Sequence, residues 1–187
     1  MINKDILYKE VFNFIVDNQI FFTVFMTIII LKFKDISKCN GYLAGLIHIL
    51  GTFFHELTHY LVAILTTFHI PKNFSIFPKT NKSERSIELG YVELEMRYLN
   101  VFNAFLISMA PLLLLYLAYF VSKYFFIYYE KYFEVGIISY IIYLFLMTTL
   151  IVNSIPSKAD FKIAKYKGSI YFYVLLVFVA LLINYKS

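Results

Sequence analysis

The chain has 187 residues, of which 60% are hydrophobic and only 16% are charged. A soluble domain usually carries about 25% charged residues, so this chain has too little polar surface to cover a water-facing globule. The net charge is +5, but a chain committed mostly to lipid has little surface left for nucleic acid. The composition therefore excludes an ordinary soluble domain and predicts a polytopic membrane protein.

Five apolar segments approach the roughly 20 residues that a membrane-spanning helix needs. In chain order they are residues 11–33, 42–68, 101–121, 135–155 and 169–183. Polar residues at 17–19 interrupt the first segment, and the last is short for a full span. The N-terminus has no compact basic region followed by a small-residue cleavage site, so the first segment is predicted to be a retained span. We expect a single α-helical membrane domain, 1–187, with about five transmembrane helices.

The basic residues predict how these spans are oriented. Five spans would place the N-terminus, residues 70–99 and residues 156–168 on one side, with eleven Lys and Arg against six on the other. The positive-inside rule then puts the N-terminus in the cytoplasm and the C-terminus outside. Nearly all basic residues are Lys, a bias associated with AT-rich prokaryotic genomes. The predicted location is a prokaryotic cell membrane, crossed several times.

A polar insert, residues 70–100, separates the second apolar segment from the third and is too charged to cross lipid. Within it, residues 86–96 alternate between apolar and polar side chains, with one slip at Tyr91-Val92. Alternation with a period of two indicates β-strands, and Gly90 beside the slip would suit a bulge. We expect a small β-hairpin at the membrane surface.

The second apolar segment contains the run His55-Glu56-Leu57-Thr58-His59. Histidines four residues apart lie on one face of a helix and can bind the same ion. Glu56 follows the first histidine and can take a proton from zinc-bound water, whose pKa falls from about 15.7 to about 7. Charged groups in an apolar helix cost about 2–3 kcal/mol each, which a metal ion would offset. The run predicts one Zn²⁺ held by His55 and His59, with Glu56 as the general base.

A hydrolytic zinc usually has three protein ligands and one open position, so a third ligand must come from elsewhere. His48 is seven residues before His55, about 10.5 Å along a helix, which is too far to share an ion. His69 lies at the end of the segment and would have to fold back. Asp17, in the first segment, remains a competitor for this position.

Asp160 is the better candidate for the third ligand. It follows Pro156, which ends the fourth apolar segment in a stretch rich in Asn and Ser. Irregular backbone at membrane depth is tolerated where protein or a watery cavity surrounds it. The second segment runs towards the cytoplasmic side and the fourth ends there, so His59 and Asp160 can meet. The alternative is an ordinary solvated carboxylate in a basic loop.

A histidine pair of this spacing in a membrane helix, followed two spans later by Asn153-x-x-Pro156 and Asp160, resembles the site-2 protease family of intramembrane zinc metalloproteases. The resemblance covers residues from about 42 to 165. It implies that Asp160 is the third zinc ligand and that Asn153 helps to position the substrate or its oxyanion. Two features depart from the family pattern: the gap from Asn153 to Asp160 is one residue shorter, and Phe161 replaces the usual glycine.

These residues predict a zinc-dependent endopeptidase that acts on a membrane-protein or peptide substrate in or near the bilayer. Two alternatives stay open. A transporter or scaffold could bind the metal without proteolysis and would tolerate Glu56→Gln. A protease with the same site could instead cut a soluble or peripheral cytosolic protein. Cys39, the only cysteine, allows no disulfide within the chain.

Overall fold

The structure, a computed structural model, describes residues 4–37, 41–76, 79–81, 86–88, 90–132 and 136–186. These residues are mostly helical. The helices are α1 (Lys4–Asp17), α2 (Gln19–Ser37), α3 (Gly41–Thr67), α4 (Asn103–Ser108), α5 (Leu113–Tyr132), α6 (Ile137–Asn153), α7 (Lys158–Ala164) and α8 (Ser169–Lys186).

Two helices among the described residues are long and apolar enough to cross a membrane, over Ile49–Thr67 in α3 and over Tyr166–Asn184, which contains most of α8. The α6–α7 pair adds a third if it forms one span bent by 48°. Shorter apolar helical stretches cover Gln19–Lys32 and Ala110–Phe125. The fold is therefore compatible with a membrane protein, and the count of five spans stays a prediction.

The first predicted segment, residues 11–33, is divided at its polar interruption, because α1 ends at Asp17 and α2 begins at Gln19. Asn18 lies at the break, and its side-chain amide donates to the carbonyl of Phe14 at 2.8 Å. A short polar side chain that bonds a nearby carbonyl competes with the regular helix pattern.

The third predicted segment, residues 101–121, is also broken. Helix α4 ends at Ser108, a 3₁₀ turn covers Ala110–Leu112, and α5 begins at Leu113. Pro111 lies in this turn, where its missing N–H and its ring interrupt the α-helical pattern. The apolar segment thus changes from α4 to α5 at Pro111.

The polar insert forms four short strands, β1 (Asn73–Ser75), β2 (Lys79–Asn81), β3 (Ser86–Glu88) and β4 (Tyr91–Glu93). Strand β2 pairs with β3 and β1 with β4, both antiparallel, so one ladder lies inside the other in a single long hairpin. The expected strands are confirmed, but their partners come from residues 73–81, upstream of the alternating stretch. Gly90 lies where the β3 side of the hairpin passes into β4.

Helix α6 is at the centre of the fold and packs against α2, α3 and α5. Buried side chains of α5 and α6 form the larger apolar core, which comprises Leu114, Ala118, Tyr140, Tyr143, Leu144, Met147 and Leu150. A smaller core is formed by Ala63 of α3, by Leu99, which precedes α4, and by Ile107 of α4. Helix α7 packs on α4, and α4 packs on α3. These contacts bring the start of α7 to the middle of α3.

Candidate metal centre

His55 and His59 lie one turn apart on α3 and are oriented by carbonyl groups from other helices. The Nδ1 atom of His55 is 2.7 Å from the carbonyl oxygen of Asn153, at the end of α6. The Nδ1 atom of His59 is 2.7 Å from the carbonyl oxygen of Ile107 in α4. Since a carbonyl can only accept, each Nδ1 donates, and each neutral ring keeps its lone pair on Nε2. The two Nε2 atoms are 3.3 Å apart.

Asp160 reaches the histidines from the first turn of α7, where it forms a capping box with Ser157. The backbone N–H of Ser157 donates to Oδ2 of Asp160 at 2.6 Å, and the N–H of Asp160 donates to the Ser157 hydroxyl at 3.2 Å. The carboxylate is buried, with Oδ1 at 3.2 Å from Nε2 of His59 and Oδ2 at 3.5 Å from Nε2 of His55. Two reciprocal bonds therefore fix the carboxylate against both rings.

These three side chains have the chemistry and spacing of a metal site. Tetrahedral zinc with bonds of 2.0–2.1 Å keeps its ligand atoms about 3.3 Å apart, and the observed separations are 3.2, 3.3 and 3.5 Å. Two imidazole lone pairs and a carboxylate that converge in a buried place are donors suited to a cation. His55, His59 and Asp160 are thus a group that can hold a metal ion.

Glu56 lies beside this group on α3 and is half-buried. Its carboxylate makes no hydrogen bond or ion pair with any residue that the structure describes. The hairpin covers it: a Cβ at Gly90 would lie 2.9 Å from Cγ of Glu56 and 2.5 Å from Cγ2 of Thr52. Only glycine allows the hairpin backbone to lie this close to α3. The backbone at Gly90 therefore lines the space around Glu56.

Asn153 contributes to the site in a way that its sequence context did not predict. Its carbonyl orients His55, and the predicted role of its side chain in positioning substrate stays a prediction. Its side-chain amide donates to the carbonyl of Thr149 at 2.8 Å and lies against Gly51 of α3, where a Cβ would overlap it. Gly51 thus permits the close α3–α6 approach that brings the Asn153 carbonyl to His55.

Gly51 and Ser157 were not predicted from the sequence as residues that support the site, although each lies in a recognisable sequence pattern. Gly51 is four residues before His55 and therefore lies on the same helix face. The run from Ser157 to Asp160 has the Ser-x-x-acid spacing of a capping box. The role of the Ile107 carbonyl could not be predicted, because every residue has a backbone carbonyl whatever its side chain is.

The competing ligands do not join the group. Asp17 is exposed at the end of α1. His69 is exposed beyond α3, with its Nδ1 2.7 Å from the carbonyl of Thr67 and its ring stacked on Tyr98. The side chain of His48 and all of Cys39 lie outside the part of the chain that the structure describes.

Comparison with known proteins found no relative of this chain. A scan against protein-family models gave no match, and neither a search of curated proteins nor a search of solved structures gave one. The resemblance to the site-2 protease family rests on the motif residues His55, Glu56, His59, Asn153 and Asp160.

Proposed function

We propose that this chain is a zinc-dependent, membrane-embedded endopeptidase. His55, His59 and Asp160 would hold the ion, and Glu56 would be the general base. The observation that carries the proposal is that the Asp160 carboxylate of α7 meets two Nε2 atoms of the apolar helix α3, all within 3.5 Å of one another, beside a fourth ionisable group. A site that only stabilised the helix packing would not need Glu56 in this place.

Zinc in such a site supplies Lewis-acid chemistry, which activates water and polarises a carbonyl group. Residues of the chain would transfer the proton, orient the histidine rings and exclude bulk water. A carboxylate oxygen of Glu56 accepts the proton of the attacking water and later gives it to the leaving amide nitrogen. The carbonyls of Asn153 and Ile107 hold the histidine rings in orientation. Burial of Asp160 and His59 keeps bulk water away from the ligands.

The hairpin suggests how a peptide reaches Glu56. A helical substrate hides its amide groups in internal hydrogen bonds and must unwind before it can be cut. The β1–β4 ribbon has two strands, so an outer edge can receive an extended segment by strand addition. Because Gly90 brings this ribbon against α3 at Glu56, an added strand would lie close to the base.

The first test is the zinc content of detergent-purified protein, for wild type, Asp160→Asn and Asp17→Asn. We expect about one zinc per chain in wild type and in Asp17→Asn, and a large loss in Asp160→Asn, because only Asp160 lies against both histidines. Equal zinc in all three proteins would refute Asp160 as a ligand. No zinc in any of them after metal-replete purification would refute the metal site itself.

The second test is hydrolysis of a quenched fluorescent peptide library in detergent by Glu56→Gln, with Glu10→Gln as the matched control. Glu10 is an exposed glutamate of α1. We expect Glu56→Gln to keep its zinc and lose turnover by at least about 100-fold, as removal of a general base does. Retained turnover would contradict the mechanism. A fully zinc-loaded wild type with no hydrolysis would favour the non-proteolytic metal-binding alternative.

A further inference from the structure

Helix α7 has two faces with opposite character. Asp160 and Ala164 are buried, whereas Lys158, Lys162 and Lys165, the C-cap residue, are exposed. Spacings of four and three residues place these lysines on one side of the helix at 3.6 residues per turn. Asp160 falls on the opposite side. We call Lys158, Lys162 and Lys165 the basic stripe.

The stripe is not neutralised by the residues that the structure describes. Within the described residues, none of its three lysines forms an ion pair, in contrast to Lys72 and Arg97, which both pair with Glu95. Three uncompensated cations along one short helix repel one another unless an anion lies between them. The stripe therefore presents a surface that is complementary to an anion from outside the chain.

The position of α7 in the fold indicates which class of anion would bind the basic stripe. The helix joins the end of α6 to the start of α8, two apolar helices. In the proposed membrane arrangement it would lie where both helices meet the membrane surface. Exposed apolar side chains flank the stripe: Phe161 is 46% exposed and Ile155 is 69% exposed. A helix with apolar side chains beside lysines is typical of the headgroup region, where the apolar groups enter the acyl layer and the lysines reach the phosphates.

We propose that the basic stripe of α7 is a binding surface for the phosphate groups of anionic phospholipids. This proposal rests on the membrane embedding in the proposed function, but not on zinc or on proteolysis. Lysine ammonium groups act as point charges on phosphate oxygens, and each juxtamembrane lysine strengthens binding to an anionic surface about fivefold. Because Asp160 lies on the opposite face, lipid and metal would not compete for the same surface.

The test compares phosphatidylglycerol bound by wild type and by K158Q/K162Q/K165Q in native mass spectrometry of the detergent-purified full chain. We expect binding to weaken by about 10- to 100-fold in the variant. K32Q/K123Q/K131Q removes the same charge from lysines that are spread over α2 and α5, and should weaken phosphatidylglycerol binding much less than the stripe variant does. Phosphatidylcholine, which has no net negative charge, should bind weakly and equally to all three proteins.

Two further measurements keep the test decisive. K158R/K162R/K165R keeps the charge and should restore phosphatidylglycerol binding, which separates a charge effect from a folding defect. Inorganic phosphate at the same concentration should not displace the lipid, because the acyl chains beside Phe161 and Ile155 also contribute. Equal lipid binding by wild type and the Gln variant, or displacement by free phosphate, would overturn the proposal. Neither outcome depends on whether the protein binds zinc or cleaves peptides.

Discussion

At the scale of single residues, backbone groups decide the site as much as side chains do. Each histidine is held by a carbonyl of a different helix, α6 for His55 and α4 for His59. Outer partners of this kind fix the tautomer and ring direction of a metal-binding histidine. Gly51 and Ser157 are not proposed metal ligands, but they matter because they place the Asn153 carbonyl and the Asp160 carboxylate.

Substitution of Gly51 by Ala should weaken zinc binding by about 10- to 100-fold, the usual effect of disturbing an outer partner of a metal ligand. The new methyl group would overlap the Asn153 amide and push the α6 carbonyl away from His55. Titration with a competing chelator measures the effect. Asn153→Ala alone should keep its zinc, and the Gly51→Ala/Asn153→Ala double variant should recover it. Zinc loss in Asn153→Ala would show that the side chain, rather than the carbonyl, is needed.

Ser157→Ala should remove the capping box of α7 at a cost of about 1 kcal/mol, because the N–H of Asp160 loses its acceptor. We expect a lower melting temperature and weaker zinc binding, since the Asp160 carboxylate is held partly through this box. Ser157→Thr keeps an accepting hydroxyl and serves as the control. Identical zinc affinity in the Ala and Thr variants would mean that the box does not position the ligand.

At the scale of elements, the contact between the hairpin and α3 is the feature that sequence periodicity did not reveal. Alternation predicted strands in residues 86–96, but it could not show that β4 pairs with β1 or that Gly90 packs on Thr52 and Glu56. The helix breaks at Asn18 and Pro111 were visible as polar or proline residues, although their effect on span length was not.

Gly90→Ala should lower peptide turnover while zinc content stays at the wild-type level. The added methyl group would meet Thr52 and Glu56, which displaces the base or the hairpin without touching the metal ligands. Parallel zinc and hydrolysis assays separate the two effects. Thr52→Ser in the Gly90→Ala background removes one of the colliding methyl groups and should restore part of the turnover. A parallel loss of zinc and turnover would contradict this account.

At the scale of the whole molecule, the exposed apolar side chains are compatible with a membrane protein. Helix α8 has large exposed apolar residues along its length, and its contacts with α4 include the ring of Tyr173 stacked on Phe105 near its start. At the start of α8, the Ser169 hydroxyl accepts a hydrogen bond from the backbone N–H of Phe105 at 3.0 Å. Such a helix needs lipid or another apolar partner over the rest of its surface.

Single cysteines placed in a Cys39→Ser background test the predicted orientation. Lys123 lies in α5 and Lys165 at the end of α7, and both are exposed. The charge asymmetry predicts that Lys123→Cys reacts with a membrane-impermeant maleimide in intact cells, whereas Lys165→Cys reacts only after permeabilisation. Labelling of both from the same side would contradict the predicted number of crossings between them.

The sequence alone determined the features that depend on local composition and spacing. Hydropathy predicted apolar helices close to α3, α6 and α8, and the four-residue spacing placed His55 and His59 on one face. Only the tertiary structure decided what depends on distant segments meeting: the carbonyl partners of the two rings, the pairing of β1 with β4, and the close approaches at Gly51 and Gly90. The physical reason is that side-chain periodicity describes one element at a time, whereas this site combines atoms from α3, α4, α6 and α7.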